Sequence, residues 1–330
     1  MKVTKDMVHE DLRGFYFPMK ILGGILSQTW GMKLMNRANE RLKGDNIEGL
    51  QCQEMYIPST HGDPDIRIRI YKPLDAPDNL PCMLYLHGGG YVLGVPEAYP
   101  DIIKKFIDAK PCIIVAPDYR KALATPYPAA FNDCYDTLLW ANDHADELGA
   151  IADKFIVCGH SAGGGLAAAV TLKASDTNDV NIAFQMPIYP MIDDRQMSAS
   201  SQSNAPVWNA KSNKLAWHLY LKQLKETDSD IPAYAAPARA NNYSHLPPTI
   251  TFVGSLEPFR DETIAYVEHI RQEGIPVAFE LYEGCFHAFE VTAPATAIGH
   301  SAWDFLLSNY SAFVDKYIYN TAVSISQTTE

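Results

Sequence analysis

A serine flanked by glycines is the strongest chemical signal in this chain. The pentapeptide Gly159-His160-Ser161-Ala162-Gly163 follows a short apolar run and precedes an alanine-rich stretch with helical spacing. This pattern is typical of a nucleophile elbow, a sharp strand-to-helix turn that exposes a serine hydroxyl. By itself the pentapeptide is equally compatible with a glycine-rich turn that has no chemistry. It lacks the Lys-Ser/Thr ending of a phosphate-binding loop and the glycine spacing of a dinucleotide-binding turn.

A serine hydroxyl is a weak nucleophile at neutral pH, so a base and an orienting acid must accompany it. His287 follows the last apolar run of the chain, at residues 277–282, in a loop from which an imidazole could reach Ser161. His160 is adjacent to the serine, but neighbouring side chains on a tight turn diverge. The sequence therefore predicts His287 as the base.

Several carboxylates compete for the role of the acid. The loop after the apolar run 249–253 contains Glu257, Asp261 and a further glutamate at 262. The latter two should begin the next helix, where acidic residues commonly complement the helix dipole. We expect Glu257 to be the acid, with Asp261 as the next candidate and then Asp193 or Asp194, which also follow an apolar run.

A second glycine-rich loop could stabilise a developing negative charge. His87-Gly88-Gly89-Gly90 follows the apolar run 82–86 directly. Consecutive glycines allow backbone N–H groups to point at an oxyanion without interference from side chains. We predict an oxyanion hole formed by the N–H groups of Gly88, Gly89 and Ala162, although the loop alone could also be a flexible turn.

Short apolar runs alternate with segments of helical periodicity from about residue 66 onward. Such runs are typical of strands that are buried on both faces of a parallel sheet, and the alternation indicates helices on both sides. The segment Ile66-Arg67-Ile68-Arg69-Ile70-Tyr71 instead alternates apolar and charged residues. It predicts an antiparallel or edge strand with one face in water.

Two long segments interrupt this alternation. A structureless loop of such length would be unusual in a compact domain, so we interpret residues 1–55 and 190–245 as parts of one helical cap over the carboxyl ends of the strands. The predicted catalytic core then comprises residues 56–189 and 246–320. The polar residues 324–330 are expected to fray.

Composition narrows the classes of function. With 47% hydrophobic and 20% charged residues, the 330-residue chain can bury a large core. Its formal net charge of −12 argues against nucleic-acid binding. The six cysteines form no Cys-x-x-Cys pair, and those at 82, 112 and 158 lie in apolar runs. This favours reduced thiols and a cytoplasmic location over a zinc site or disulfides.

The N-terminal region indicates neither export nor membrane insertion. It lacks the pattern of a secretory signal, and residues 14–35 are interrupted by Pro18, Lys20 and Lys33, so a membrane span is not expected. An amphipathic helix that covers apolar surface is the better interpretation. The sequence leaves a homodimer open.

From about residue 71 to residue 289 the chain resembles the hormone-sensitive-lipase-like (HGGG-motif, type IV) carboxylesterases of the α/β-hydrolase fold. The resemblance is carried by residues 87–90, 118–120, 126–130, 133–134, 159–164, 257–262 and 287. It implies an eight-stranded, mostly parallel sheet flanked by helices, a helical cap, and no metal or cofactor. It also implies Ser161, His287 and Glu257 as the catalytic triad. Two positions that usually hold Asp in the family are His160 and Glu257 here.

These observations predict a serine carboxylesterase. It would cleave short- to medium-chain acyl or aryl esters through an acyl-enzyme intermediate. Two alternatives remain: an amidase or peptidase-type acyl hydrolase with the same triad, and a non-catalytic small-molecule receptor on the same fold. Such receptors typically lose the nucleophile or the histidine, and this chain retains both. Asp118 and Arg120 are expected to be structural partners.

Overall fold

A single eight-stranded sheet organises the chain. The architecture is that of a computed structural model that describes residues 2–320; the predicted fraying at residues 324–330 lies outside these residues. Its strands are β1 Leu50–Ile57, β2 Ile66–Pro73, β3 Leu80–Leu86, β4 Ile113–Pro117, β5 Ala150–His160, β6 Ile182–Ile188, β7 Thr249–Gly254 and β8 Val277–Tyr282. They lie in the spatial order β1-β2-β4-β3-β5-β6-β7-β8.

Strands β3 to β8 are mutually parallel, whereas β1 and β2 form an antiparallel ribbon at one edge. The α-helices are α1 Tyr16–Leu26, α2 Thr29–Asn39, α3 Pro100–Ala109, α4 Ala129–Asp143, α5 Ala145–Leu148, α6 Ala162–Thr177, α7 Ala210–Tyr220, α8 Lys222–Glu226, α9 Arg260–Gln272, α10 Phe289–Thr292 and α11 Ala297–Phe313. The predicted eight-stranded, mostly parallel α/β fold is confirmed.

The apolar runs of β3 to β7 are buried on both faces of the sheet, as predicted, whereas the run at the edge strand β8 is mostly half-buried. In β3, Cys82 and Leu84 pack into one hydrophobic cluster together with α4 and α6. Met83 and Tyr85 pack into another cluster with α3 and α11. Because successive side chains of a strand point to opposite faces, an uninterrupted apolar run buries residues on both sides of the sheet.

The expectation of a wet face on the strand at residues 66–71 is wrong. The strand is antiparallel, as predicted, but β1 lies outside it, and Arg67 and Arg69 are buried. Arg67 pairs with Glu54, Glu97 and Asp118. Buried charges are tolerated when they are paired in this way, so alternation of charge did not mean exposure here.

The N-terminal segment and the segment 190–245 contact each other above the sheet. Val207 donates its N–H to the carbonyl of Met19 at 3.0 Å, and Asn209 donates to the carbonyl of Gly23 at 3.2 Å. The boundary of the first segment differs from the expected residue 55, because β1 begins at Leu50 and pairs within the sheet. The division into a core and one helical cap stays a prediction.

Candidate active site

The turn at Ser161 joins β5 to α6 with no connecting loop. Ser161 adopts φ +60° and ψ −119°, a conformation that non-glycine residues rarely occupy and that is typical of strained functional positions. The flanking glycines are required by close packing of the backbone. A Cβ at Gly159 would lie 2.2 Å from the carbonyl oxygen of Gly163, and one at Gly163 would lie 2.0 Å from that of Leu86.

The structure brings the three predicted triad residues together. The Nε2 atom of His287 lies 2.9 Å from Oγ of Ser161, and its Nδ1 atom lies 2.5 Å from Oε2 of Glu257. A carboxylate can only accept, so Nδ1 carries the hydrogen and Nε2 is left to accept from the serine hydroxyl. All three side chains are buried, Glu257 completely.

Three contacts fix the orientation of the glutamate and the histidine. The backbone N–H of Gly254, at the end of β7, donates to Oε1 of Glu257 at 2.9 Å, which leaves Oε2 for His287. The imidazole ring is held between Tyr189 and Phe259, both packed edge to face with ring centroids 4.8 and 5.1 Å away. Glu257 therefore contacts His287 through Oε2, while its other carboxylate oxygen, Oε1, is held by the backbone of Gly254.

The other candidate acids have different partners. Asp261 accepts from the backbone N–H of Ser200 and from Arg260. Asp193 pairs with Arg195, and Asp194 pairs with Arg239. The carboxylates of the three aspartates therefore bind these partners and not the imidazole of His287.

The glycine loop after β3 lies beside the nucleophile. A Cβ at Gly88 would be 3.6 Å from Cβ of Ser161. The N–H groups of Gly88 and Gly89 donate to no partner within residues 2–320, and Ala162 is the first residue of α6, where an N–H has no intrahelical acceptor. Gly89 has φ +122°, and a side chain there would collide with Leu93.

Aromatic residues hold this loop in place. The hydroxyl of Tyr119 donates to the carbonyl of His87 at 2.8 Å, and the two rings stack at 4.2 Å. The hydroxyl of Tyr91 donates to the carbonyl of Met191 at 2.6 Å. Burial lowers the pKa of His87 to about 3, so its ring is neutral at physiological pH. His87 therefore acts as a packing element of the loop.

His160 does not join the triad. It is buried, its Nδ1 atom lies 3.4 Å from the Tyr85 hydroxyl, and its ring packs against Tyr189. Burial is the main cause that lowers the pKa of His160 to about 3, and the neighbouring His287 lowers it further to a smaller extent. His160 nevertheless lines the cavity that opens onto Ser161, so the expectation that it points away from the site stays a prediction.

An apolar cavity of about 300 Å³ opens onto Ser161 and His287. Its walls combine Leu26 and Met35 from α1 and α2, Trp208 from the segment 190–245, and Tyr189 after β6. Sequence reasoning did not single out Tyr189, although an aromatic residue directly after a strand's carboxyl end was a usable signal. The contributions of Leu26 and Met35 had no sequence signal, because they depend on how the N-terminal helices pack.

Within residues 2–320, no three His, Cys, Asp or Glu side chains are arranged to hold a metal ion, and no helix has the length and hydropathy needed to span a bilayer. All six cysteines are free, and five of them are buried.

Asp118 and Arg120 both take part in ion pairs, in keeping with structural roles. Asp118 pairs with Arg67, Lys43 and Lys121. Arg120 pairs with Asp133 and Asp63.

Comparison with known proteins agrees with this geometry. Residues 83–291 match the family model described as alpha/beta hydrolase fold. The chain is 30% identical to esterase LipI of Mycobacterium tuberculosis over 277 residues, which cover 78% of this chain and 86% of LipI. It is 32% identical to carboxylesterase NlhH of the same organism over 241 residues, which cover 71% of this chain and 75% of NlhH.

A solved structure of a bacterial heroin esterase superposes with a TM-score of 0.86 at 29% identity, covering 94% of this chain and 99% of that one. The chain therefore belongs to the hormone-sensitive-lipase-like family of carboxylic ester hydrolases, built on the α/β-hydrolase fold.

Proposed function

We propose that this protein is a serine carboxylesterase in which Ser161, His287 and Glu257 form the catalytic triad. The observation that carries the proposal is the pair of hydrogen bonds that link these three buried side chains at the base of an apolar cavity. The cavity volume of about 300 Å³ is at the small end for ligand sites, which favours short- to medium-chain acyl or aryl esters.

The first half of the reaction forms an acyl-enzyme. His287 Nε2 takes the proton of Ser161 as Oγ attacks the ester carbonyl carbon. The carbonyl oxygen becomes an oxyanion, which the N–H groups of Gly88, Gly89 and Ala162 stabilise. Glu257 stabilises the imidazolium and holds its orientation. The imidazolium then protonates the leaving alkoxide as the C–O bond breaks.

The second half releases the acid. A water molecule, deprotonated by His287, attacks the acyl carbon and regenerates the oxyanion. The proton then returns to Ser161 Oγ as the acyl bond breaks, and the carboxylic acid leaves. The same groups therefore act in both halves, and each proton has a defined donor and acceptor.

The decisive experiment combines Ser161→Ala with active-site labelling. We expect hydrolysis of p-nitrophenyl butanoate to fall about 10⁶-fold, and an organophosphate to add its mass to the wild type at Ser161 but not to the variant. Ser308→Ala, an exposed serine on α11, serves as the control and should retain full activity. Substantial residual turnover or labelling of another residue would refute the assignment.

The amidase alternative is tested with the matched p-nitroanilide of the same acyl group. An esterase should hydrolyse the anilide far more slowly than the ester, and comparable rates would favour an amidase. Binding of esters without any turnover by the wild type would favour the receptor alternative.

A cytoplasmic location, a homodimer, and the absence of nucleic-acid, metal and cofactor binding stay predictions.

A further inference from the structure

The outer faces of α1 and α2 expose four large apolar side chains. Phe17, Ile21, Trp30 and Leu34 have 62, 67, 60 and 56% of their surface in solvent. Within each helix the two residues are four positions apart and therefore neighbours on one face. Single exposed apolar residues are ordinary, but a set of four on two consecutive helices indicates a binding surface. We call this surface the outer face.

The opposite sides of these helices already fulfil the packing role. Leu26 and Met32 are buried, and Leu26 and Met35 line the cavity above Ser161. The fold therefore uses the inner side of each helix, and the four exposed residues are not needed for this packing.

Charge distinguishes the outer face from the rest of the molecule. Helices α1 and α2 contain Lys20, Lys33 and Arg37 but neither Asp nor Glu, in a chain with a net charge of −12. At 100° per residue, Trp30, Lys33, Leu34 and Arg37 fall within an arc of about 100° on α2. All four are exposed, and no ion pair involves Lys33 or Arg37 within residues 2–320.

We propose that the outer face docks on an anionic lipid surface. Exposed Trp, Phe and Leu interleaved with Lys and Arg are the composition of helices that lie in the membrane interface. The apolar side chains enter the acyl boundary while the cations contact anionic headgroups. The overall negative charge does not prevent this, because charges farther away than a Debye length of about 8 Å are largely screened at physiological ionic strength.

A second copy of the chain suits the outer face less well. A twofold dimer buries the same patch of both subunits, so it would bring together two surfaces that each carry Lys33 and Arg37. The structure contains no acidic residue on α1 or α2 to offset that repulsion. A lipid surface supplies the required negative charge.

Docking would also place the catalytic cavity at the interface, since α1 and α2 form part of its wall. This inference goes beyond the proposed function and does not rest on it, because binding to vesicles requires no turnover. Its failure would leave the esterase assignment intact.

The apolar contribution is tested by co-sedimentation of the full chain with phosphatidylcholine vesicles containing about 30% phosphatidylglycerol. We expect Phe17→Ser/Leu34→Ser to lower the partition coefficient at least about tenfold. The matched control is Tyr56→Ser/Leu74→Ser, whose side chains are 62 and 57% exposed elsewhere on the surface. It should bind like the wild type.

The electrostatic contribution is tested with Lys33→Glu/Arg37→Glu, which should also weaken binding at least about tenfold. Lys211→Glu/Lys214→Glu changes the net charge equally at two exposed positions of α7 and should have a much smaller effect. Unchanged hydrolysis of a soluble ester by each variant reports an intact fold.

Three results would overturn the proposal. One is equal binding to vesicles of pure phosphatidylcholine, and another is equal loss in the outer-face variants and their controls. The third is a concentration-dependent dimer that Phe17→Ser/Leu34→Ser abolishes, without vesicle binding by the wild type. That result would assign the outer face to a second copy.

Discussion

At the scale of single residues, Glu257, the proposed acid, is held from two sides. A glutamate is one methylene longer than an aspartate, and the excess length is accommodated because the N–H of Gly254 binds Oε1 while Oε2 faces His287. The carboxyl group is thus fixed by the backbone at the end of β7. A neutral amide in its place could not stabilise an imidazolium, and its NH₂ group could oppose the required tautomer.

Exchanging Glu257 for Gln should therefore lower kcat about 10⁴-fold, with little effect on the fold. Asp261→Asn, in the same loop, is the matched control. Because Asp261 binds Ser200 and Arg260 and not the imidazole, we expect its activity to remain near that of the wild type. Steady-state hydrolysis of p-nitrophenyl butanoate distinguishes the two, and the reverse ranking would assign the acid to Asp261.

Glu290 is a second buried acid close to the site. It accepts a hydrogen bond from the hydroxyl of Tyr189, the residue whose ring packs against His287. Burial raises the pKa of Glu290 to about 7 from its ordinary value of 4.5. Folding therefore favours the protonated acid, and ionisation of this side chain costs stability as the pH rises from about 4.5 to about 7.

The variant Glu290→Gln removes that ionisation and keeps an acceptor for Tyr189. At pH 8 we expect it to unfold in urea with a free energy up to about 3 kcal/mol higher than the wild type, and at pH 4.5 with no such gain. Glu280→Gln, an exposed position on β8, is the control. A gain of the same size at both pH values would contradict the argument.

At the scale of elements, the turn at Ser161 depends on how closely β3 approaches α6. The carbonyl oxygens of Leu86 and His87 would lie 2.0 and 2.5 Å from a Cβ at Gly163, so this contact is made from backbone to backbone. The helix cannot move away without shifting Ser161 relative to the Gly88 loop. Glycine here is a packing requirement, since no positive φ is involved.

Gly163→Ala should therefore destabilise the protein by about 3 kcal/mol or more and reduce activity in the fraction that folds. Gly24→Ala is the matched substitution in a helix, and a Cβ at Gly24 meets nothing within 4 Å. There the better helix propensity of Ala should stabilise the protein by about 1 kcal/mol. Chemical denaturation measures both changes. Equal effects in both variants would show that close packing at Gly163 is unimportant.

Most elements of the core could be predicted because their signals are local. Uninterrupted apolar runs indicated β3 to β8, and the glycine motifs placed Ser161 and Gly88 at strand ends. The environment of β2 could not be predicted in the same way. Arg67 and Arg69 are buried because Glu54 and Glu97 reach them from β1 and from the loop after β3, and the sequence does not reveal that pairing.

At the scale of the whole molecule, the cavity is assembled from segments far apart in the chain. Leu26 and Trp208 are 182 positions apart in the sequence, yet both line the space above Ser161. The proximity of Ser161, His287 and Glu257 could be predicted because strand order places all three at one edge of the sheet. The depth of the cavity could not be predicted from the sequence, because it depends on the packing of α1 and α2 against the segment 190–245.

Trp208 is the largest side chain in the cavity wall, and we expect it to limit the length of the acyl group. Its ring packs against the glycine loop, since a Cβ at Gly90 would lie 2.4 Å from it. With a cavity of about 300 Å³, we expect the wild type to prefer p-nitrophenyl esters from acetate to hexanoate over decanoate.

Replacing Trp208 with Ala should enlarge the cavity. We expect the ratio of kcat/KM for the decanoate ester to kcat/KM for the butanoate ester to rise about tenfold, because each methylene that the cavity accommodates contributes on the order of 1 kcal/mol. The ratio is measured within one protein, so a general loss of stability does not alter it. Trp140→Ala, on α4 and stacked on His144, should leave the ratio unchanged. An unaltered ratio in the Trp208 variant would mean that the acyl chain occupies a different part of the site, and Leu26 and Met35 would be the next positions to enlarge.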